Sequence, residues 1–319
     1  MKNLQLLFFI FSMSISVLVK SQTTDSTFVE TPITLQTTTG KIYGTLTMPK
    51  TNQKIPVVLI VAGSGPTDRN CNSYAIGLNT NSYSQLAHEL AKSDIASIRF
   101  DKRGIAESKD AGNEEKNLRF DMYINDANSW IELLRKDKRF SSIIVIGHSE
   151  GSLVGMVAGK NANKFISLDG AGEPANLILK KQLKAQMPEA YFEKVSLSLD
   201  TLTSGDTLKY VDPNLMMLFR PSVQPYMISW FKYDPQKEIK KLTIPILIVQ
   251  GNRDLQVTED DAKLLKEANS KAKMVVIDSM NHVLKDVSND KTENLKSYSN
   301  PDLPIDHILV QKIVSFIKD

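Results

Sequence analysis

SSIIVIGHSEGSLVG, residues 141–155, joins two patterns that seldom meet. Ile143 to Ile146 is a short run of branched apolar residues, as found in a strand covered on both faces. From Ser152 onward the chain is small and apolar, suited to a helix packed against such a strand. Between them, Gly147-His148-Ser149-Glu150-Gly151 leaves no room for a loop, so the strand must turn straight into the helix. A turn that sharp raises the backbone at Ser149 and holds that side chain out beyond the end of the sheet. The glycines at 147 and 151 belong there because a Cβ at either place would meet the neighbouring strand or helix.

Working outward, further apolar runs recur at Pro56–Ala62, Ile95–Phe100, Phe165–Leu168, Pro245–Val249 and Met274–Ile277. Segments of helical period separate them. Phe120, Ile124, Ala127, Ile131 and Leu134 make one stripe, and Ile305, Leu309, Ile313 and Phe316 another, with Pro304 placed for a first helical turn. Leu153–Ala158 is apolar all round and is expected to be a buried helix. Before the first run, residues 32–38 and 41–48 alternate polar with apolar across Gly40, a hairpin signal. The expected class is α/β: a mostly parallel central sheet with an N-terminal antiparallel hairpin and helices on both faces. Residues of about 173–241 break the rhythm with no strand-like run, and read as an inserted helical cap or as additional core.

The chain of 319 residues carries a net charge of +3 and 41% hydrophobic residues. That balance argues against a nucleic-acid surface and for small-molecule chemistry. Residues 1–21 read as a signal peptide: Lys2 precedes an apolar stretch of about fourteen residues, too short for the ~20 of a bilayer span, and Val19-Lys20-Ser21 suits cleavage. Removal would take away Lys2 and Lys20 and leave +1. The domain proper is then 22–319, exported to a periplasm or outside the cell, with no stable membrane insertion. Cys71 is the only cysteine, so an intramolecular disulfide and a thiolate metal site are both excluded.

A serine hydroxyl attacks only when a base removes its proton. Of four histidines, His148 lies within the turn, His88 in a helix and His307 at the last helix. His282 follows the Met274–Ile277 run, at the same end of the sheet as Ser149, and is the favoured base, with His307 the alternative. A carboxylate must orient that imidazole. Asp254 closes the run from Ile246 and is favoured; Asp169, at the end of the Phe165 run, is its rival.

The Gly147–Gly151 motif and the chain order Ser149, Asp254, His282 resemble the α/β-hydrolase superfamily, from the hairpin to the last helix. Residues 62–70, AGSGPTDRN, and 101–108, DKRGIAES, are similar to those of bacterial esterases related to the serine aminopeptidase and dienelactone hydrolase groups. Cys71 stands where relatives often carry Gly, and Ala106 replaces the second Gly of an Asp-x-Arg-Gly-x-Gly-x-Ser pattern. The resemblance implies an oxyanion hole from the backbone N–H groups of Ser64 and Glu150, hydrolysis of esters of short to medium acyl chain, and no metal or organic cofactor. Amide or thioester hydrolysis on the same triad is the alternative, and a non-catalytic binding protein on this scaffold is the reading from another class. Asp68, Arg69 and Asn70 are expected to form a polar network. Arg103 is expected to pair with Asp101 or Asp68, and Glu173, Glu189 and Glu193 are candidates to hold a substrate's amino terminus.

Overall fold

The computed structural model describes residues 27–112, 114–184 and 187–319. The leader read at 1–21 lies outside them. Eight strands form one sheet: β1 Phe28–Gln36, β2 Lys41–Pro49, β3 Ile55–Val61, β4 Ala96–Phe100, β5 Phe140–His148, β6 Lys164–Leu168, β7 Ile246–Gly251 and β8 Lys273–Ile277. Their spatial order is β1-β2-β4-β3-β5-β6-β7-β8. β1 and β2 are antiparallel and turn at Gly40, with Gln36 opposite Lys41; β2 also runs antiparallel to β4. The remaining pairs are parallel. Chain order reverses between β3 and its neighbours β4 and β5, so a cleft opens at the carboxyl ends of the central strands.

Alternation along β3 shows why its run is apolar throughout. Val57, Leu59 and Val61 enter one core with Phe120, Ile124 and Leu153. Val58, Ile60 and Ala62 enter the opposite core with Leu86, Leu90, Leu309 and Ile313. The helices that supply those layers include α1 Ser82–Lys92, α2 Phe120–Lys136 and α3 Glu150–Gly159. The stripe read on α2 is buried at each of its five positions. In α3 only one residue is not fully buried, since that helix is wedged under the sheet's centre.

Between β6 and β7 lie α4 Ala175–Lys184, α5 Glu189–Thr203, α6 Met216–Phe219, α7 Gln224–Trp230 and α8 Pro235–Lys240. They stand where the sequence breaks rhythm. Val195, Leu199, Leu202, Phe219, Met227 and Phe231 pack on one another in a nucleus of their own, apart from the two cores that sandwich the sheet. After β7 come α9 Glu259–Ala268, then β8, α10 Lys291–Ser297 and α11 His307–Lys318. Pro304 does not open α11 as its position suggested. Asp306 caps that helix by accepting the Leu309 N–H at 2.9 Å, and Ile305 is held beforehand in a bridge to Lys285. The side-chain cap fixes the start more firmly than a proline's preset φ. Among the described residues, no helix is long and apolar enough to cross a membrane.

Candidate active site

Ser149 joins β5 to α3 with φ 55° and ψ −124°, a conformation that a residue with a Cβ adopts at a cost of ~1–3 kcal/mol. Its surroundings enforce it. A Cβ on Gly147 would lie 2.2 Å from the Gly151 carbonyl oxygen, and one on Gly151 would lie 2.3 Å from that of Val61. The Ser149 N–H donates to the Leu168 carbonyl at 3.0 Å, tying the turn to the end of β6.

Asp254 and His282 follow the ends of β7 and β8. The His282 Nδ1–H donates to Asp254 Oδ2 at 2.6 Å, and the Asp254 side chain is wholly buried. Its other oxygen accepts the N–H groups of Gln256 at 2.7 Å and Val257 at 3.0 Å. Those bonds aim the carboxylate at the imidazole. Asn281 shapes the loop before the histidine: its Oδ1 accepts the N–H of Val283 and of Lys285, while its Nδ2 donates to Asn294 and Ser297.

Tyr83 and His148, neither of them legible as site residues in the sequence, also support the site. The Gly63 N–H donates to the Tyr83 hydroxyl at 3.2 Å, and that hydroxyl donates to His148 Nδ1 at 2.7 Å. His148 Nε2–H then donates to the backbone carbonyl of His282 at 2.8 Å. Since a carbonyl only accepts, Nε2 carries the proton of that last bond, and in the neutral ring Nδ1 accepts from the Tyr83 hydroxyl. Burial, and then the nearby His282, push its imidazolium down to about 3. No periodicity could have revealed this chain, which joins three separate loops.

Asp169 is fully buried behind the pair, with φ 46°. One of its oxygens accepts the Gly251 N–H at 2.8 Å; the other has no partner among the described residues. Burial, reinforced by the charge of Asp254, holds its carboxyl well above the usual range. It lies within 4.8 Å of the nitrogens of His148 and His282, yet the hydrogen bond to His282 comes from Asp254. This cluster does not suit a metal, because both His148 nitrogens are already engaged. His307 faces a separate groove with His88, and is not brought to Ser149.

Two cavities meet at the serine, sharing Ser64, Ser149 and Gln256. One of about 280 Å³ includes His282, Tyr83, Leu78 and Tyr298. The other, about 90 Å³, runs under the cap between Leu153, Ile178, Leu179 and Trp230. Glu173 lines the cap-side cavity but is ion-paired with Lys181, and Glu189 and Glu193 are exposed on α5.

The surrounding charges form the expected network with one correction. Asp68 accepts the N–H groups of Asn70 and Asn72, and Arg69 pairs with Asp101 at 2.5 Å. Arg103 instead makes a bidentate bond to Asp126 on α2, at 2.5 and 3.0 Å. Arg69 has already taken Asp101, and a fork of two donors matches the buried carboxylate across the sheet.

A serine at the sharp turn after β5, a carboxylate after β7 and an imidazole after β8, on this strand order, match the α/β-hydrolase fold. The serine aminopeptidase family S33 model matches residues 76–172. The chain is 30% identical over 264 residues to Esterase EstD of Thermotoga maritima, which covers 81% of this chain; the chain spans 60% of the length of that curated relative. Among solved structures, the fold resembles Est1E from Butyrivibrio proteoclasticus, determined with ferulic acid bound, with a TM-score of 0.59 at 16% identity, over 90% of this chain and 100% of that one. It also resembles the Pyrococcus furiosus esterase Pf2001, with a TM-score of 0.55 at 14% identity and 91% of each chain covered.

Proposed function

We propose that this protein is a serine hydrolase that cleaves carboxylic esters of short to medium acyl chain through an acyl-enzyme on Ser149. The observation that carries the reading is the 2.6 Å bond from His282 to the buried Asp254, with Ser149 and His282 lining one cavity. With Nδ1 committed to Asp254, Nε2 is the nitrogen left to take the serine proton. The Ser149 oxygen then attacks the ester carbonyl carbon, and the oxygen of that carbonyl becomes an anion facing the N–H groups of Ser64 and Glu150. His282 returns the proton to the departing alcohol. A water, deprotonated by the same nitrogen, hydrolyses the acyl-enzyme and releases the acid.

Because His282 must protonate the leaving group, the alcohol portion occupies the cavity of about 280 Å³ and the acyl chain the one of about 90 Å³ beneath the cap. The names of the esterase relatives support an ester as the scissile bond. The family model's description favours the second reading, an aminopeptidase-like amide hydrolase. Against that, Glu173, which lines the cap-side cavity, is already ion-paired with Lys181. We also propose export, on the leader-like residues 1–21 alone.

Ser149→Ala decides the reading. The folded variant is expected to lose p-nitrophenyl ester turnover and labelling by a fluorophosphonate; undiminished turnover would refute it. Comparing esters, thioesters and aminoacyl-arylamides on one sample assigns the bond.

A further inference from the structure

Lys102 lies at the carboxyl end of β4, only 4% exposed, and its ammonium donates to the carbonyl oxygen of Gly63. We propose that Lys102 is a positioning residue for the oxyanion hole, turning the Ser64 N–H toward the reacting carbonyl by gripping the opposite side of the same peptide. The inference rests on the acyl-enzyme reading above.

The argument is one of peptide geometry. Every described peptide bond is trans, so the C=O of Gly63 and the N–H of Ser64 point in opposite directions from one rigid plane. A donor fixed on the oxygen therefore fixes where the hydrogen points. The preceding peptide is fixed separately, its N–H committed to Tyr83 at 3.2 Å. Gly63 is thus clamped from both ends, and the Ser64 N–H, with no hydrogen-bond acceptor among the described residues, sits where the two cavities lined by Ser64 and Ser149 meet. An ammonium on the carbonyl also polarises the amide and makes its N–H a stronger donor.

The second anchor of the ammonium ties it to the other half of the hole. The Glu150 carboxylate lies 3.9 Å from Lys102 Nζ, and Glu150 supplies the second N–H at the start of α3. The Tyr226 hydroxyl favours the charged form of that carboxylate, and the Tyr123 ring lies 5.4 Å from the ammonium. One buried cation so links both residues that carry the oxyanion donors. Burial draws Lys102 below the ordinary lysine range and pushes Glu150 above the ordinary carboxylate range, and each charge opposes the other's shift. For stability alone an apolar pair would serve as well or better here. A device that breaks the rule for cores is expected where geometry has to be held for chemistry.

The test compares the full chain with Lys102→Met and with Lys102→Met/Glu150→Gln, in which no lone charge is left buried. Serines competent to react are counted with a fluorophosphonate, and kcat and KM are measured for p-nitrophenyl butyrate. Loss of one oxyanion donor costs ~10²–10³ in rate, and misdirecting one is expected to cost about tenfold to a hundredfold in kcat per titrated serine. KM should change by no more than about twofold, since the ground-state ester uses the hole little. The inhibition constant of an alkyl boronic acid, which becomes tetrahedral on Ser149, should rise by the same factor as kcat falls. That of the corresponding unreactive alcohol should stay constant.

If Lys102→Met does not fold, the double variant carries the measurement. Normal kcat per titrated serine in the double variant overturns the proposal, as does equal weakening of the boronic acid and the alcohol. The underlying reading fails separately: turnover surviving in Ser149→Ala refutes the acyl-enzyme, whereas an inactive Ser149→Ala beside a fully active double variant refutes only the role of Lys102.

Discussion

His148 and His282 are joined by a 2.8 Å bond from the ring of the first to the main chain of the second, so the turn that carries the serine also supports the loop that carries the base. Through Tyr83 the same ring reaches Gly63, beside the proposed oxyanion donor. Three loops that approach the cleft from different strands are therefore registered on one neutral imidazole.

That imidazole makes the fold acid-sensitive. Its folded value of about 3 lies below the ordinary 6.5, so below pH 6.5 the unfolded chain takes up a proton that the folded chain refuses. Stability should fall as pH drops from 6.5 toward 3, by up to ~1.4 kcal/mol per pH unit from this group. His148→Gln removes the linkage, and its melting temperature should decline less steeply between pH 7 and pH 4. Parallel declines in variant and parent would contradict the assignment.

The two buried carboxylates behind the site should separate cleanly by substitution. Asp254→Asn is expected to lower kcat by ~10³–10⁴, because an amide disfavours the imidazole tautomer with Nε2 free. Asp169→Asn leaves the bond between Asp254 and His282 in place, and activity should stay within about tenfold. Its effect should be on stability. The folded carboxyl titrates well above 3.8, so the parent loses stability as pH rises beyond the unfolded value, while the amide does not. Melting curves at pH 4 and pH 8 should show Asp169→Asn gaining relative to the parent at the higher pH only.

Glycines near the serine differ in what they tolerate. Gly147→Ala and Gly151→Ala drive a Cβ into main-chain oxygens at 2.2 and 2.3 Å, and should cost more than about 3 kcal/mol and abolish fluorophosphonate labelling. Gly65→Ala meets nothing within 4 Å, and its φ of 73° alone should cost about 1–2 kcal/mol, leaving a folded, labelled protein. Chemical denaturation with parallel labelling distinguishes the two kinds.

Trp230 closes the cap-side cavity and stacks on Phe120 with centroids 6.0 Å apart. Trp230→Ala should lengthen that cavity, raising the ratio of kcat/KM for octanoate over acetate p-nitrophenyl esters about tenfold. An unchanged ratio would mean that the acyl chain lies elsewhere.

The strands were legible because both faces of the parallel sheet are covered, so each central strand is apolar throughout, as β3 illustrates. The elbow was legible because its glycines are a steric necessity printed in five consecutive letters. Asp254 and Asp169 looked alike in sequence, each ending a strand; what separates them is three hydrogen bonds to loop atoms, and those depend on tertiary placement. Tyr83 and Lys102 gave no signal at all. Their partners are a main-chain N–H and a main-chain carbonyl, groups that every residue possesses. Arg103 was mispaired for a related reason, since the nearest acid along the chain had been claimed by Arg69 and its true partner is on α2.

The nucleus formed by Val195, Leu199, Phe219 and their neighbours gives the region between β6 and β7 much of its own cohesion. Yet the roof is also bolted to the floor, by Trp230 stacked on Phe120, by Ser229 accepting the Phe120 N–H, and by Ile239 in the core under the sheet. A new roof would therefore have to bring its own replacements for these anchors, or the floor beneath the serine would lose part of its support.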